Sequence, residues 1–464
     1  MSPAAAAVES PAPASNLPPP TLGHLLNVAL PIVISRASYS VMLFVNRLFL
    51  SRVGKYELAA SMSGGLTSMV LSAFVEGVVG YVTALVAQYY GAGRPEKCTQ
   101  STTQAIYLAL ASYPILLAFM PLIRVFFRLT GQEPALTELA IVYGQMLLWG
   151  SILLILRIAL GSFFIGIGRT RIVMVANVVA ALASVPANYV LVFGKLGLPA
   201  MGIRGAALGT MIGSLASLLV LLWTYLRTIG RSPYRCEGAW RLRPDLLRRL
   251  LRFGIPTGVE PFLTWFAFNL FVQFMHSYGP DTAAAATIAF NFDAMAFVPM
   301  LGLGMAATSV VAQYLGARNP DGAEQAVGLT IRVAIGYSVL LIALFVALAG
   351  TLVTVFSSGF ESGGGNVAAM ATTMLRLLAL YILANSCKLV LGGALRAAGD
   401  TAWPMRVAIV LHWVMAAATF WLVRIVGAHQ FVSWSTLIIM NNLQSLALWY
   451  RYGTKKWRGM ALIG

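Results

Sequence analysis

The chain has 464 residues, 59% of them hydrophobic and 10% charged, with a mean hydropathy of +0.79. A water-soluble globule needs polar surface that this composition does not supply, so a soluble fold is excluded and runs crossing about 30 Å of hydrocarbon are expected. The net charge of +17 would suit nucleic acid, but much of it falls in short segments between apolar runs, where it sets membrane orientation instead; no nucleic-acid partner is expected.

In chain order, residues 1–23 are Ala/Pro-rich with Glu9 as their single charged side chain. No basic stretch leads into a short apolar core, so this is not a signal peptide, and a disordered cytoplasmic leader is expected. Six apolar runs follow, at 25–50, 58–86, 102–126, 136–158, 172–193 and 205–226. Residues 229–252 then form a basic cytoplasmic linker with Arg231, Arg235, Arg241, Arg243, Arg248 and Arg249. A short amphipathic helix from Pro244 is expected to lie on the inner leaflet. Six further runs lie at 253–277, 283–311, 329–356, 367–391, 402–423 and 432–450, and 453–464 is a tail with Lys455, Lys456 and Arg458. Lipid offers backbone groups no partners, so each run is expected to be a helix and the fold an all-α membrane protein of twelve spans.

The halves repeat. Ala29-Leu30-Pro31 is echoed by Gly254-Ile255-Pro256, and Val86-Ala87-Gln88-Tyr89-Tyr90-Gly91 by Val311-Ala312-Gln313-Tyr314-Leu315-Gly316, both at an offset of 225 residues. Such duplication predicts two six-helix bundles, 24–228 and 253–452, related by a pseudo-twofold axis along the membrane normal, with the substrate path between them. The Lys and Arg distribution puts both termini in the cytoplasm.

Ionisable groups inside spans are costly and therefore candidate functional residues. The acids are Glu76, Glu260 and Asp293, all read as ion-coupling groups because burial brings a carboxyl toward titration near neutral pH. Glu260 leads, because Pro256 and Pro261 loosen the helix around it. The bases are Arg36 and Arg47 in span 1, Arg157 in span 4 and Lys388 in span 10. They either make the cavity attractive to anions or pair with the acids as internal ion pairs; the second reading is favoured because an unpaired cation in lipid costs several kcal/mol. Phe292 belongs to an aromatic group on spans 7 and 8 that suits a planar apolar ligand but equally suits helix packing. Cys98, Cys236 and Cys387 give no disulfide framework, and His276 and His412 no metal spacing; no cofactor is expected beyond a coupling ion.

The passage Asn188-Tyr189-Val190-Leu191-Val192-Phe193-Gly194, followed by Leu198-Pro199-Ala200-Met201-Gly202-Ile203-Arg204-Gly205-Ala206, and the segment Gly393-Ala394-Leu395-Arg396-Ala397-Ala398-Gly399-Asp400-Thr401 resemble the multidrug and toxic compound extrusion (MATE) family, in its NorM-like form, over about residues 24–452. The resemblance implies a V-shaped cavity between two lobes and export of amphipathic, usually cationic, small organic compounds in exchange for H⁺ or Na⁺ across a bacterial inner membrane, by a monomer. It also singles out Asn46 and Asn385, which stand where the family commonly has Asp, and Asn188, which agrees with the NorM-like members. An amide does not titrate in this range, so these positions serve a cation only through the carbonyl oxygen. The rival within the superfamily is a flippase for an anionic lipid-linked precursor. An intramembrane enzyme is excluded by the lack of a clustered-acid, HExxH or nucleophile-elbow motif.

Overall fold

The computed structural model describes residues 17–129, 134–357, 364–460 and 462, and the regular structure among them is helical throughout. The expected disorder of residues 1–16 falls outside the described residues. The first lobe contains α1 (Leu22–Val53), α2 (Lys55–Gly80) continued by α3 (Val82–Gly91), α4 (Pro95–Ala118) continued by α5 (Met120–Leu129), α6 (Pro134–Trp149) continued by α7 (Ser151–Gly166), α8 (Thr170–Phe193) and α9 (Gly202–Ile229). The second contains α10 (Pro244–His276), α11 (Pro280–Gly316), α12 (Pro320–Ala347) continued by α13 (Ala349–Ser357), α14 (Gly364–Ala398), α15 (Ala402–Trp421) with a π turn at Leu422–Val426, and α16 (Gln430–Gly453).

With continued helices taken together, each lobe makes six passes. Among the described residues nine passes are long and apolar enough to span a membrane alone, and the α6–α7 pair, bent by 41°, makes a tenth. The bend falls at Gly150, where a Cβ would lie 2.7 Å from Met211 of α9. The other two passes, α10 and α16, are diluted by polar residues; in α16 Ser433, Asn441, Gln444 and Ser445 turn inward and are buried. Proline at the first turn opens α4, α10, α11 and α12, where its missing N–H costs nothing. Gly194, at φ +66°, ends α8 in the left-handed conformation with its N–H on Val190 O, which a residue with a Cβ adopts poorly.

The region before α10 differs from expectation. The helix from Pro244 does not lie apart on the leaflet; it runs unbroken into the seventh pass. Leu246 and Leu250 are buried to 2% and 1% exposure, so the amphipathic turns are pinned by the core. The preceding linker is also tied down. Gln104 of α4 donates to Arg241 O at 3.1 Å and accepts from Arg243 N at 3.0 Å, and Thr99 donates to Tyr234 O at 3.1 Å.

The repeat is visible in the packing: α1 lies on α11 and α10 on α2, the same pairing seen from each lobe. One apolar core fuses both lobes at the end where the chain termini lie, joining Val82, Val86 and Ala87 to Val310, Val311 and Ala394. A second core, built around Phe271, Met374 and Trp434, belongs to the second lobe alone. The lobes are therefore welded on the terminus side.

Candidate functional site: a sealed base and a charged cleft

The seal is reciprocal. Gln88, near the end of α3, donates through Nε2 to Ala397 O of α14 at 2.7 Å, and its repeat mate Gln313, near the end of α11, donates to Gly166 O of α7 at 2.8 Å. A Cβ on Gly91 would sit 1.8 Å from Gln313 O, and one on Gly316 2.0 Å from Gln88 O. Two polar side chains buried at apolar helix ends each find a backbone acceptor across the junction in this way, as buried amides require. Tyr81 donates to Arg396 O at 3.0 Å and Ser309 to Ile165 O at 2.6 Å across the same junction. The C-terminal tail completes it: Leu462 N–H donates to Gln88 Oε1 at 3.2 Å, while Leu462 O accepts from Arg249 at 2.9 Å. One residue of the tail thus bridges both lobes.

Farther from the termini, α2 and α10 cross at glycines. Pro261 has no N–H, which leaves Thr257 O without its helical donor; a Cβ on Gly77 would lie 2.5 Å from that oxygen, and one on Gly258 2.3 Å from Phe74 O. Glu76 and Glu260 stand beside this crossing, both half-buried. Arg36 of α1 reaches across to the second lobe, its guanidinium 3.2 Å from Met305 Sδ of α11. Its side chain is accessible, and Glu76 of α2 acts on it electrostatically.

On the first lobe's wall, Arg157 of α7 donates to Asn177 Oδ1 at 3.4 Å and lies 5.7 Å over the Tyr39 ring. Asn177 in turn donates to Ser35. Glu76 accepts from Ser72 at 2.5 Å, and Arg36 and Arg157 both act on it electrostatically. On the second lobe's wall, Lys388 donates to Asn441 Oδ1 at 2.6 Å and feels both Glu260 and Asp293. Asp293 accepts from the Tyr381 hydroxyl. Among the described residues no ion pair joins these cations to these acids; the direct ion pairs are Arg451–Asp400, Lys455–Glu324 and Arg458 with Asp321 and Glu324. In place of ion pairs, Arg157 and Lys388 have amide partners at contact and acids at longer range, and Arg36 has the Met305 thioether at contact. Arg157 and Lys388 sit nine and ten residues before the ends of α7 and α14, so both lie about 14 Å above the sealed end.

The amides form a separate group. Asn46 is buried and donates to Tyr143 and Thr210, each at 3.3 Å. Asn188 donates to Ser184 at 3.1 Å and presses its Oδ1 on Gly209, where a Cβ would lie 2.0 Å away. Both Oδ1 atoms are buried without a hydrogen-bond partner among the described residues. Asn385 is buried 3.8 Å from Met300 Sδ, and Phe292 packs on the second lobe's core. Gly209→Val is expected to separate α8 from α9 and to cost about 3 kcal/mol, read as a lower melting temperature of the detergent-purified protein; an unchanged melt would show that the amides move aside freely.

Sequence reasoning picked out the acids, the bases and three amides but not Gln88, Gln313, Tyr381, Asn177 or Asn441. The glutamines had a signal: a polar residue at the end of an apolar run, three before a glycine, repeated at the offset of the duplication.

Two lobes related by a repeat, welded at one end and holding charged groups between them in the bilayer, define a membrane transporter. The chain belongs to the MatE family, whose sequence pattern matches residues 31–190 and 256–421; it is a multi-pass transporter and not an enzyme. It is 28% identical over 400 residues to the probable multidrug resistance protein NorM of Pasteurella multocida, covering 84% of each chain. It is 28% identical over 398 residues to the multidrug resistance protein PmpM of Pseudomonas aeruginosa, covering 84% of this chain and 82% of that one. In fold it resembles a MOP superfamily transporter from Pyrococcus furiosus, with a TM-score of 0.85 at 19% identity over 95% of this chain and 97% of the other.

Proposed function

We propose that this transporter exports amphipathic organic compounds from a bacterial cell across the inner membrane by alternating access, as a monomer with both termini cytoplasmic, in exchange for entering H⁺ or Na⁺. The names of its relatives, multidrug resistance proteins, support the substrate range. The observation that carries the reading is the reciprocal seal at Gln88 and Gln313, with ionisable groups of both lobes standing beyond it. A seal built of two equivalent halves breaks and reforms as a unit, which suits two lobes that rock about a fixed site.

An ion biases such an equilibrium only through different affinity for its two states. Glu260 lies beside the α2–α10 crossing and within the electrostatic reach of Lys388, so its protonation changes the balance at the point where the lobes meet. The Asn46 and Asn188 oxygens are the Na⁺ alternative. In proteoliposomes, Glu260→Gln is expected to slow pH-gradient-driven uptake of ethidium about tenfold or more. Undiminished uptake would remove Glu260 from the coupling.

A second reading, translocation of an anionic lipid-linked precursor, is favoured by one observation: Arg36 and Arg157 stand in the cleft without a contacting carboxylate among the described residues.

A further inference from the structure

The two walls of the cleft carry opposite charge. The first lobe contributes two guanidiniums, Arg36 and Arg157, in the electrostatic range of one carboxylate, Glu76. The second contributes one ammonium, Lys388, in the range of two carboxylates, Glu260 and Asp293. With every group ionised, the first wall is net positive and the second net negative.

The guanidiniums are also under-used. Each presents a fork of N–H donors shaped for a carboxylate or phosphate. Arg157 uses it on one amide oxygen at 3.4 Å, and Arg36 on a thioether, a weak acceptor. A cation at mid-bilayer with its donors so poorly matched costs about 3 kcal/mol or more, and assembly alone gains little from two of them. Their surroundings hold them in place instead: Tyr39 lies beneath Arg157, and the Asn177–Ser35 bond fixes the amide that Arg157 touches.

We propose that Arg36 and Arg157, with Tyr39 and Asn177 beside them, form a receptor for an anionic group carried on an apolar body, so that the first lobe takes the acidic end of a substrate. This rests on the reading of the cleft as the substrate path. The acid is a carboxylate or phosphate, borne either by a soluble amphiphile or by a lipid headgroup.

The test uses the purified full-length protein in phosphatidylcholine nanodiscs, with pyrenebutyrate and pyrenemethylamine as fluorescent probes of equal apolar body and opposite charge. The double variant Arg36→Gln/Arg157→Gln is expected to weaken pyrenebutyrate binding about tenfold or more, the size of a lost charge-assisted contact. It is expected to strengthen pyrenemethylamine binding, because positive charge leaves the wall. Arg36→Lys/Arg157→Lys, which keeps the charge, is expected to restore much of the pyrenebutyrate affinity, and thermal melts identify any variant that fails to fold. Parallel loss of both probes, or no change in either, would overturn the proposal. Nanodiscs containing phosphatidylglycerol separate the sources: displacement of pyrenebutyrate by that lipid identifies a headgroup, and undiminished binding a soluble acid. Ethidium antiport in proteoliposomes, scored separately, tests the export reading alone, since its absence leaves the opposite shifts of the two pyrene probes intact.

Discussion

Gly91→Val together with Gly316→Val is expected to hold the lobes apart on the terminus side and to abolish vectorial transport. At each position the first added carbon would meet a backbone oxygen of the opposite lobe at 1.8 or 2.0 Å. Neither oxygen belongs to a flexible side chain, so relief requires the helices themselves to separate. Overpacking of this kind costs about 3 kcal/mol, which lowers the closed population about a hundredfold. Spin labels at Arg94 and Arg318, exposed in the turns that follow α3 and α11, report the separation by double electron–electron resonance once the native cysteines are replaced. The distance distribution is expected to move to longer values in the variant while helicity is kept. An unchanged distribution would mean that the seal is not the element that alternates. Gln88→Ala with Gln313→Ala is the milder companion: it removes three buried hydrogen bonds, the two between the lobes at 2.7 and 2.8 Å and that from Leu462 N–H to Gln88 at 3.2 Å, worth about 1 kcal/mol each.

Much of this arrangement is legible in the sequence, because membrane helices are set by local composition and the duplication repeats whole spans. Pro31 and Pro256 do lie at equivalent places in α1 and α10. What is not legible is which side chain answers which. The sequence suggests that Arg157 seeks an acid; the structure gives it Asn177, because α8 passes beside α7 at that height and Glu76 is held by its own helical neighbour Ser72. The same holds for Lys388, whose contact partner Asn441 comes from α16, an element whose polar residues lower its apolar signal. The linker's tethering was illegible for another reason. Its arginines mark a basic segment, but its backbone is bound by Gln104 and Thr99 of α4, residues whose spacing carries no hint of a partner more than a hundred residues away.

The three acids proposed to couple transport give the remaining large effect. Exchange of one proton for one neutral or charge-balanced substrate across a gradient of two pH units supports about 2.7 kcal/mol, or about a hundredfold accumulation. In the triple variant Glu76→Gln/Glu260→Gln/Asp293→Asn that accumulation is expected to vanish, leaving downhill equilibration. The amides keep the volume and most of the hydrogen bonding: Ser72 still has an acceptor oxygen at position 76, and Tyr381 one at position 293, both contacts seen in the wild-type chain. Lys388 keeps Asn441 but loses both negative neighbours, so the second wall changes sign while the fold persists. A pH gradient that still drives accumulation in this variant would exclude all three carboxylates at once. Coupling to Na⁺ at the Asn46 and Asn188 oxygens would have a different signature: accumulation would follow the Na⁺ gradient, persist in the triple variant, and collapse when Gly209→Val crowds the Asn188 amide. Singly substituted forms order the three: under the proposed coupling Glu260→Gln is expected to cost most, since Glu260 stands beside the crossing of α2 and α10.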